Sequence, residues 1–208
     1  MNVAQELELI ATQVSNCTNC DLHHSRKNAV PGEGPANAEI MFIGEGPGFH
    51  ENEQGRPFVG AAGKVLDDLL AKIGMQRSDV FIGNVVKCRP PGNRDPHADE
   101  ISACSEYLER QIQTIDPKVI VTLGRYSLMY FMPNAKISDV HGKAMQVRGR
   151  LVVAMYHPAA GPHQRSLMST IEEDFKKIPE LIARADKNAI SQEQAPVDKD
   201  NPRQLNLF

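Results

Sequence analysis

Residues 38–48 read AEIMFIGEGPG, a compact apolar run from Ala38 to Ile43 that breaks into a glycine-rich turn. A run of this length bounded by turn residues marks a strand buried on both faces. Three more runs share the design: Asp79–Val86 (DVFIGNVV), Lys118–Leu123 leading into LGR, and Leu151–Met155 leading into YHP. Helical periodicities lie between them. Val65, Leu66, Leu69, Leu70 and Ile73 form a stripe that opens after Gly60 and stops at Gly74. Ile101, Cys104, Leu108 and Ile112 share one face of a helix over 97–115, and a short helix over 124–131 follows the third strand. Strands that alternate with helices predict an α/β fold, a parallel sheet covered by helices on both faces. Ligands in such folds bind at the carboxyl ends of the strands, where GEGPG, Asn84, LGR and YHP stand.

Outward from the sheet, Val3, Leu7, Ile10 and Val14 predict a short amphipathic helix over 3–15 that leads into Cys17 and Cys20. The segment KCRPPGNRDP holds three prolines and a glycine and must be a loop. HGKAMQVRGR (141–150) is hairpin-like, and residues 165–185 predict one last amphipathic helix. Residues 186–203 are polar and nearly free of large apolar groups, which predicts a disordered linker between a domain at 1–185 and the final QLNLF, 204–208.

The 208 residues, 41% hydrophobic and 24% charged, suffice for one sizeable core. With 23 Lys and Arg against 26 Asp and Glu, the net charge of -3 argues against a uniformly basic coat but leaves room for a local patch. No run approaches the roughly 18 apolar residues of a membrane span. MNVAQELELI lacks the features of a signal peptide, so a cytoplasmic protein with no membrane partner is expected. Tryptophan is absent and aromatics are 5%, which excludes an extended base-stacking surface while allowing one or two placed rings.

Several polar groups are candidates for chemistry. Taken alone, GEGPG is either a phosphate cradle or a tight turn, and no dinucleotide fingerprint completes it. Its continuation sets Glu45, Glu51 and Phe58 on a loop that returns to a helix of small residues, where a ring and an acid can wall a flat pocket. By itself Phe58 is more often a core residue than a stacking platform. Asn84 sits in an apolar strand, where an unpaired amide costs about 1–3 kcal/mol, so it needs a partner in the backbone or in a ligand. Its acceptor and two donors in one plane match the edge of a pyrimidine. His157, at a strand end, is placed to donate to a developing anion. Cys17, Cys20, Cys88 and Cys104 are spaced C-x2-C and C-x15-C, and all-sulfur ligation suits zinc or an iron–sulfur cluster. Cations without acids gather in 84–94 (Lys87, Arg89, Arg94) and 141–150 (Lys143, Arg148, Arg150), as phosphate contacts at the strand ends would require.

The combination GEGPGFHENEQGRPFVGAAG, NVVKCRPPGNRDP, VTLGR and YHPAA, with four cysteines so placed, resembles the family-4, iron–sulfur type of bacterial uracil-DNA glycosylase over about residues 5–183. The resemblance implies a three-layer α/β/α sandwich with a central four-stranded parallel sheet, and a [4Fe–4S] cluster on Cys17, Cys20, Cys88 and Cys104. It implies that Phe58 stacks on a flipped uracil, that Asn84 reads its edge, and that Gly44, Glu45 and Gly46 line the pocket. Glu51 would stand near the side where thymine carries its methyl, and His157 would stabilise the leaving anion. Uracil-containing DNA, single- or double-stranded, would be the substrate of a monomeric enzyme that leaves free uracil and an abasic site. Lys87, Arg89, Arg94, Lys143 and Arg165 would contact the DNA. Gly161-Pro162-His163 departs from the family's apolar tip after HPAA, placing Pro162 and His163 where a wedge would enter the stack. Asn52 stands where the family commonly has Asp. QLNLF resembles the pentapeptide that binds the bacterial sliding clamp, through Gln204, Leu205, Leu207 and Phe208. The rivals are a superfamily relative that releases hypoxanthine or forms a covalent uracil-DNA adduct, for which His97 is the candidate, a clamp-tethered module without enzymatic activity, and, weakest, a nucleotide-binding α/β enzyme.

Overall fold

A computed structural model describes residues 2–161 and 164–193. The helices are α1 (Val3–Asn16), α2 (Leu22–Ser25), α3 (Phe49–Gln54), α4 (Ala61–Lys72), α5 (Ala98–Ile115), α6 (Arg125–Phe131), α7 (Ile137–Val140), α8 (Arg165–Phe175) and α9 (Ile178–Glu193). The strands are β1 (Ile40–Gly44), β2 (Phe81–Asn84), β3 (Val119–Leu123), β4 (Ala144–Val147) and β5 (Arg150–Met155). They form one sheet in the order β2-β1-β3-β5-β4. The four expected strands pair in parallel, while β4 runs antiparallel to β5 at the edge. The sheet therefore has five strands among the described residues, not four. The hairpin-like segment is the reason: Arg148 (φ 50°) and Gly149 (φ 77°) both adopt positive φ between Val147 and Arg150, the two-residue turn that matches the twist of paired strands.

Side chains alternate between the two faces of the buried strands. Met41, Ile43, Ile120 and Val152 face Ile10, Val14, Leu108 and Ile112 of α1 and α5. Ile40, Phe42, Val119, Val121 and Val153 face Leu66, Leu69 and Leu70 of α4 together with Ile171 and Phe175 of α8. Phe42 and Phe175 stack with ring centroids 5.9 Å apart. This is the expected three-layer sandwich.

The helix expected over 165–185 is two helices, broken at Lys176–Lys177. Pro179 accounts for the break: its ring would collide with the carbonyl four residues earlier, at Phe175, yet it suits the first turn of a new helix. Helix α9 then continues to Glu193, so residues 186–193 are helical rather than linker. Pro162, His163, the rest of the expected linker and Gln204, Leu205, Leu207 and Phe208 lie outside the described residues. No helix among the described residues is long and apolar enough to cross a membrane.

Candidate active site and cysteine cavity

A cleft of about 490 Å³ opens at the carboxyl ends of the parallel strands. Glu45, Gly46, Pro47 and Gly48 enter it from the turn after β1, Glu51 and Phe58 from the following loop, Asn84 from the end of β2, Arg94 from the proline-rich loop, and His157 from the end of β5. The fold thus brings most of the candidate residues into one place. Gly44 lies beneath it. A Cβ on Gly44 would stand 2.5 Å from Asn84 Oδ1 and 2.7 Å from the Phe58 ring, so only glycine lets these two side chains meet over the strand.

Phe58 is 5% exposed and held at φ 50°, a left-handed conformation that costs a bulky residue about 1–2 kcal/mol. Two opposite charges hold it there. Glu51 Oε1 accepts from the N–H groups of Val59 (2.9 Å) and Gly60 (2.8 Å), and its Oε2 accepts from Gly48 (3.1 Å). On the other side Arg77 donates to the carbonyls of Phe58 (3.0 Å) and Pro57, while its Nε pairs with Glu33 (2.7 Å). Both Glu51 oxygens serve the loop backbone, so this acid braces the ring in addition to lining the cleft. Asn52, buried beside it, accepts from the Lys27 N–H and ties α3 to residues 27–28.

Asn84 is 1% exposed and its Oδ1 has no hydrogen-bond partner among the described residues. Lys87 supports it from below, donating from Nζ to the Asn84 carbonyl (2.9 Å) and to Gln111 Oε1 (2.7 Å). At 1% exposure Lys87 is not a DNA contact but a buried brace. Burial pulls its ammonium down to about 8. Replacing it by methionine leaves two buried acceptors without a donor, each costing about 1–3 kcal/mol. Lys87→Met is therefore expected to lower unfolding free energy by about 2–4 kcal/mol in urea titration, with no change in the salt slope of DNA binding; a phosphate-contacting lysine would lower that slope by about one.

His157 Nδ1 accepts the Ala159 N–H at 3.1 Å, which leaves the ring proton on Nε2. Burial holds its pKa below the ordinary histidine value, with Glu51 opposing weakly, so the ring is neutral at neutral pH. It stacks on Phe58 at 5.7 Å between centroids. Gly124 of the LGR motif (φ 94°) packs beneath, where a Cβ would stand 3.1 Å from His157 Cβ. Burial and the Asp95 carboxylate raise the pKa of Glu45.

The expected cationic rim is smaller than charge runs imply. Arg94 lines the cleft but pairs with buried Glu100 (2.8 Å). Arg89 donates to Asn93 Oδ1 (2.7 Å) beside the cleft. Lys143, bonded to the Asp139 carbonyl (2.7 Å), and Arg165, exposed at the start of α8, are not among the lining residues. Arg148 and Arg150 lie at the other end of the sheet, paired with Glu109 and Asp116, because antiparallel β4 carries them away from the strand ends where they were expected. His97 is the exposed N-cap of α5, as a helix-start histidine should be.

All four cysteines line a second cavity with Arg26, Lys87 and Tyr107. N–H donors face the sulfurs: Arg26 Nη1 to Cys88 (3.2 Å), the Lys87 backbone to Cys104 (3.2 Å) and the Asn19 backbone to Cys17 (3.5 Å). Among the described residues no three His, Cys, Asp or Glu side chains form a group set to hold a single ion. Arg77, Gln111 and Arg26 were not anticipated. No local pattern marks them, since their partners lie far along the chain.

The model of the Uracil DNA glycosylase superfamily matches residues 31–178. A type-4 uracil-DNA glycosylase of Sulfurisphaera tokodaii is 51% identical over 187 residues, 84% of each chain. Those of Archaeoglobus fulgidus and Thermotoga maritima are 46% and 43% identical, over 86% of this chain and 95% of theirs. With half of the aligned residues identical to such a relative and the superfamily match spanning every strand of the described residues, the chain belongs to the type-4 uracil-DNA glycosylases.

Proposed function

We propose that this chain hydrolyses the N-glycosidic bond of uracil in DNA, releasing free uracil and leaving an abasic site for base excision repair. The unpartnered Oδ1 of Asn84 at the cleft carries the reading. Uracil offers an N3–H donor beside the O4 acceptor, and Asn84 presents Oδ1 to the first and Nδ2 to the second. Cytosine reverses both groups and is refused. Turned out of the stack, the base lies against Phe58. As the C1′–N1 bond breaks, its electron pair leaves with the uracil as an anion spread over N1 and O2, and Nε2–H of His157 donates to it. Water adds to the sugar cation at C1′ and loses a proton to solvent, while the uracil anion gains one. No Asp stands in GEGPG to activate that water, so the step is dissociative.

Cys17, Cys20, Cys88 and Cys104 hold a [4Fe–4S] cluster in this reading. The donor set fits it, because the four sulfurs line one cavity and the surrounding N–H groups of Arg26, Lys87 and Asn19 suit thiolates. When bound, the cluster supplies a structural tie between the N-terminal segment and residues 88–104. The enzyme works as a monomer in the cytoplasm, on single- or double-stranded DNA contacted through Arg89, Arg94, Arg165, Pro162 and His163. Its last five residues dock on the sliding clamp, and deleting them is expected to abolish clamp binding while sparing excision.

Incubation of iron-loaded protein with uracil oligonucleotides, followed by alkali, tests the activity; intact strands would defeat it. Iron analysis and visible absorption of anaerobically purified protein test the cluster; zinc in place of iron would defeat that assignment. The depressed His157 pKa adds a pH dependence. Single-turnover rates are expected to hold as pH falls through the ordinary histidine range and to drop only below it, when a proton on Nδ1 displaces the Ala159 N–H. An acid limb at or above the ordinary value would contradict the neutral-ring assignment. The unfolded chain binds that proton more readily than the fold, so this group's contribution to stability is also lost as pH falls.

A further inference from the structure

Phe49 is 53% exposed, an unusual setting for a phenylalanine that opens a helix at the edge of a binding cleft. Its neighbours Gly48 and His50 both line that cleft. The Arg89 guanidinium sits over its ring, 5.3 Å from the centroid, and Arg89 is held in turn by Asn93, another lining residue. His50 packs edge-on against the same ring. The result is an exposed aromatic face joined to a cation, continuous with the mouth of the cleft but outside it.

We propose that Phe49 and Arg89 form a stacking platform for the nucleobase adjoining the one held in the cleft. A strand that delivers one base into the cleft leaves its neighbours unstacked at the mouth. A ring face accepts any of them, since every base has a π face, while the guanidinium stands where the strand's phosphates pass. Left exposed to solvent, the aromatic face gains by being covered by a base. The platform rests on the uracil-excision reading and would make single-stranded DNA a good substrate without an extended stacking surface.

The chain has no tryptophan, so Phe49→Trp creates a single fluorescent reporter at the platform. Its emission is expected to be quenched by a single-stranded uracil oligonucleotide and to remain unquenched when the nucleotides on both sides of the uracil lack bases. Phe49→Ala is expected to raise KM for the intact oligonucleotide about tenfold with kcat unchanged, and to have no effect on the oligonucleotide with abasic flanks. Phe49→Tyr keeps the ring and should behave as the parent. Equal quenching on both oligonucleotides, or an unchanged KM in Phe49→Ala, would overturn the platform while parental excision still upholds the uracil reading. Failure of the parental protein to release uracil from either oligonucleotide would overturn that reading and the platform with it.

Discussion

His157→Ala is expected to lower the single-turnover rate of uracil release by about 10²- to 10³-fold while DNA affinity stays within a few-fold of the parent. The expectation follows from where the ring proton sits. Ala159 donates to Nδ1, so Nε2 carries the hydrogen, and a half-buried imidazole held neutral by desolvation keeps it there. A donor fixed before the bond breaks needs no reorganisation as charge develops on the leaving base, and it acts where water is largely excluded. The ground-state base, nearly neutral at the same oxygen, gains much less from it, so the loss should fall on the chemical step rather than on binding. His157→Gln retains a donor of similar reach and should recover part of the rate. Parallel loss of rate and affinity in His157→Ala would instead make the ring a packing element for Phe58, with which it stacks.

Which features were legible in the sequence follows from how local their causes are. Each parallel strand is an apolar run cut off by glycine, proline or a polar turn, and burial on both faces makes that pattern unambiguous. β4 was harder. Ala144–Val147 is short and half-buried at a sheet edge, so its composition resembles a connection, and only the paired positive-φ turn at Arg148–Gly149 reveals a strand. The same antiparallel turn explains why Arg148 and Arg150 were placed at the wrong end of the sheet. Lys87 failed for another reason. Grouped with Arg89 and Arg94 it looks like part of a basic loop, yet Val85, Val86 and Cys88 around it are all buried, and that apolar setting was the signal of a buried ammonium. The brace on Phe58 could not be read at all: Arg77 reaches Phe58 across 19 residues and Glu33 across 44, with no periodicity to join them.

Gly44→Ala is the second large effect, and it separates the shape of the cleft from its chemistry. The added methyl would lie 2.5 Å from Asn84 Oδ1 and 2.7–2.8 Å from two Phe58 ring atoms, nearer than real Cβ atoms come, so something must move. The backbone cannot easily yield: Gly44 pairs with Asn84 in the sheet and its carbonyl accepts from Val85 at 3.0 Å. Phe58 is held by Glu51 and Arg77, which leaves the Asn84 side chain to turn aside and the ring to shift against His157. Base reading and stacking are then lost together. A displacement near 1 Å in such a site costs about 10²-fold, so kcat/KM should fall by at least that factor, accompanied by an overpacking loss of about 1–3 kcal/mol in stability. Gly83→Ala is the control. It stands one residue from Asn84 on β2, but its Cβ would meet only ordinary contacts, 3.6 Å from Phe81 and 3.7 Å from Lys87 Nζ. Activity should survive there and vanish at Gly44. Full activity in a folded Gly44→Ala protein would mean that Asn84 and Phe58 do not together form the floor on which the base is read.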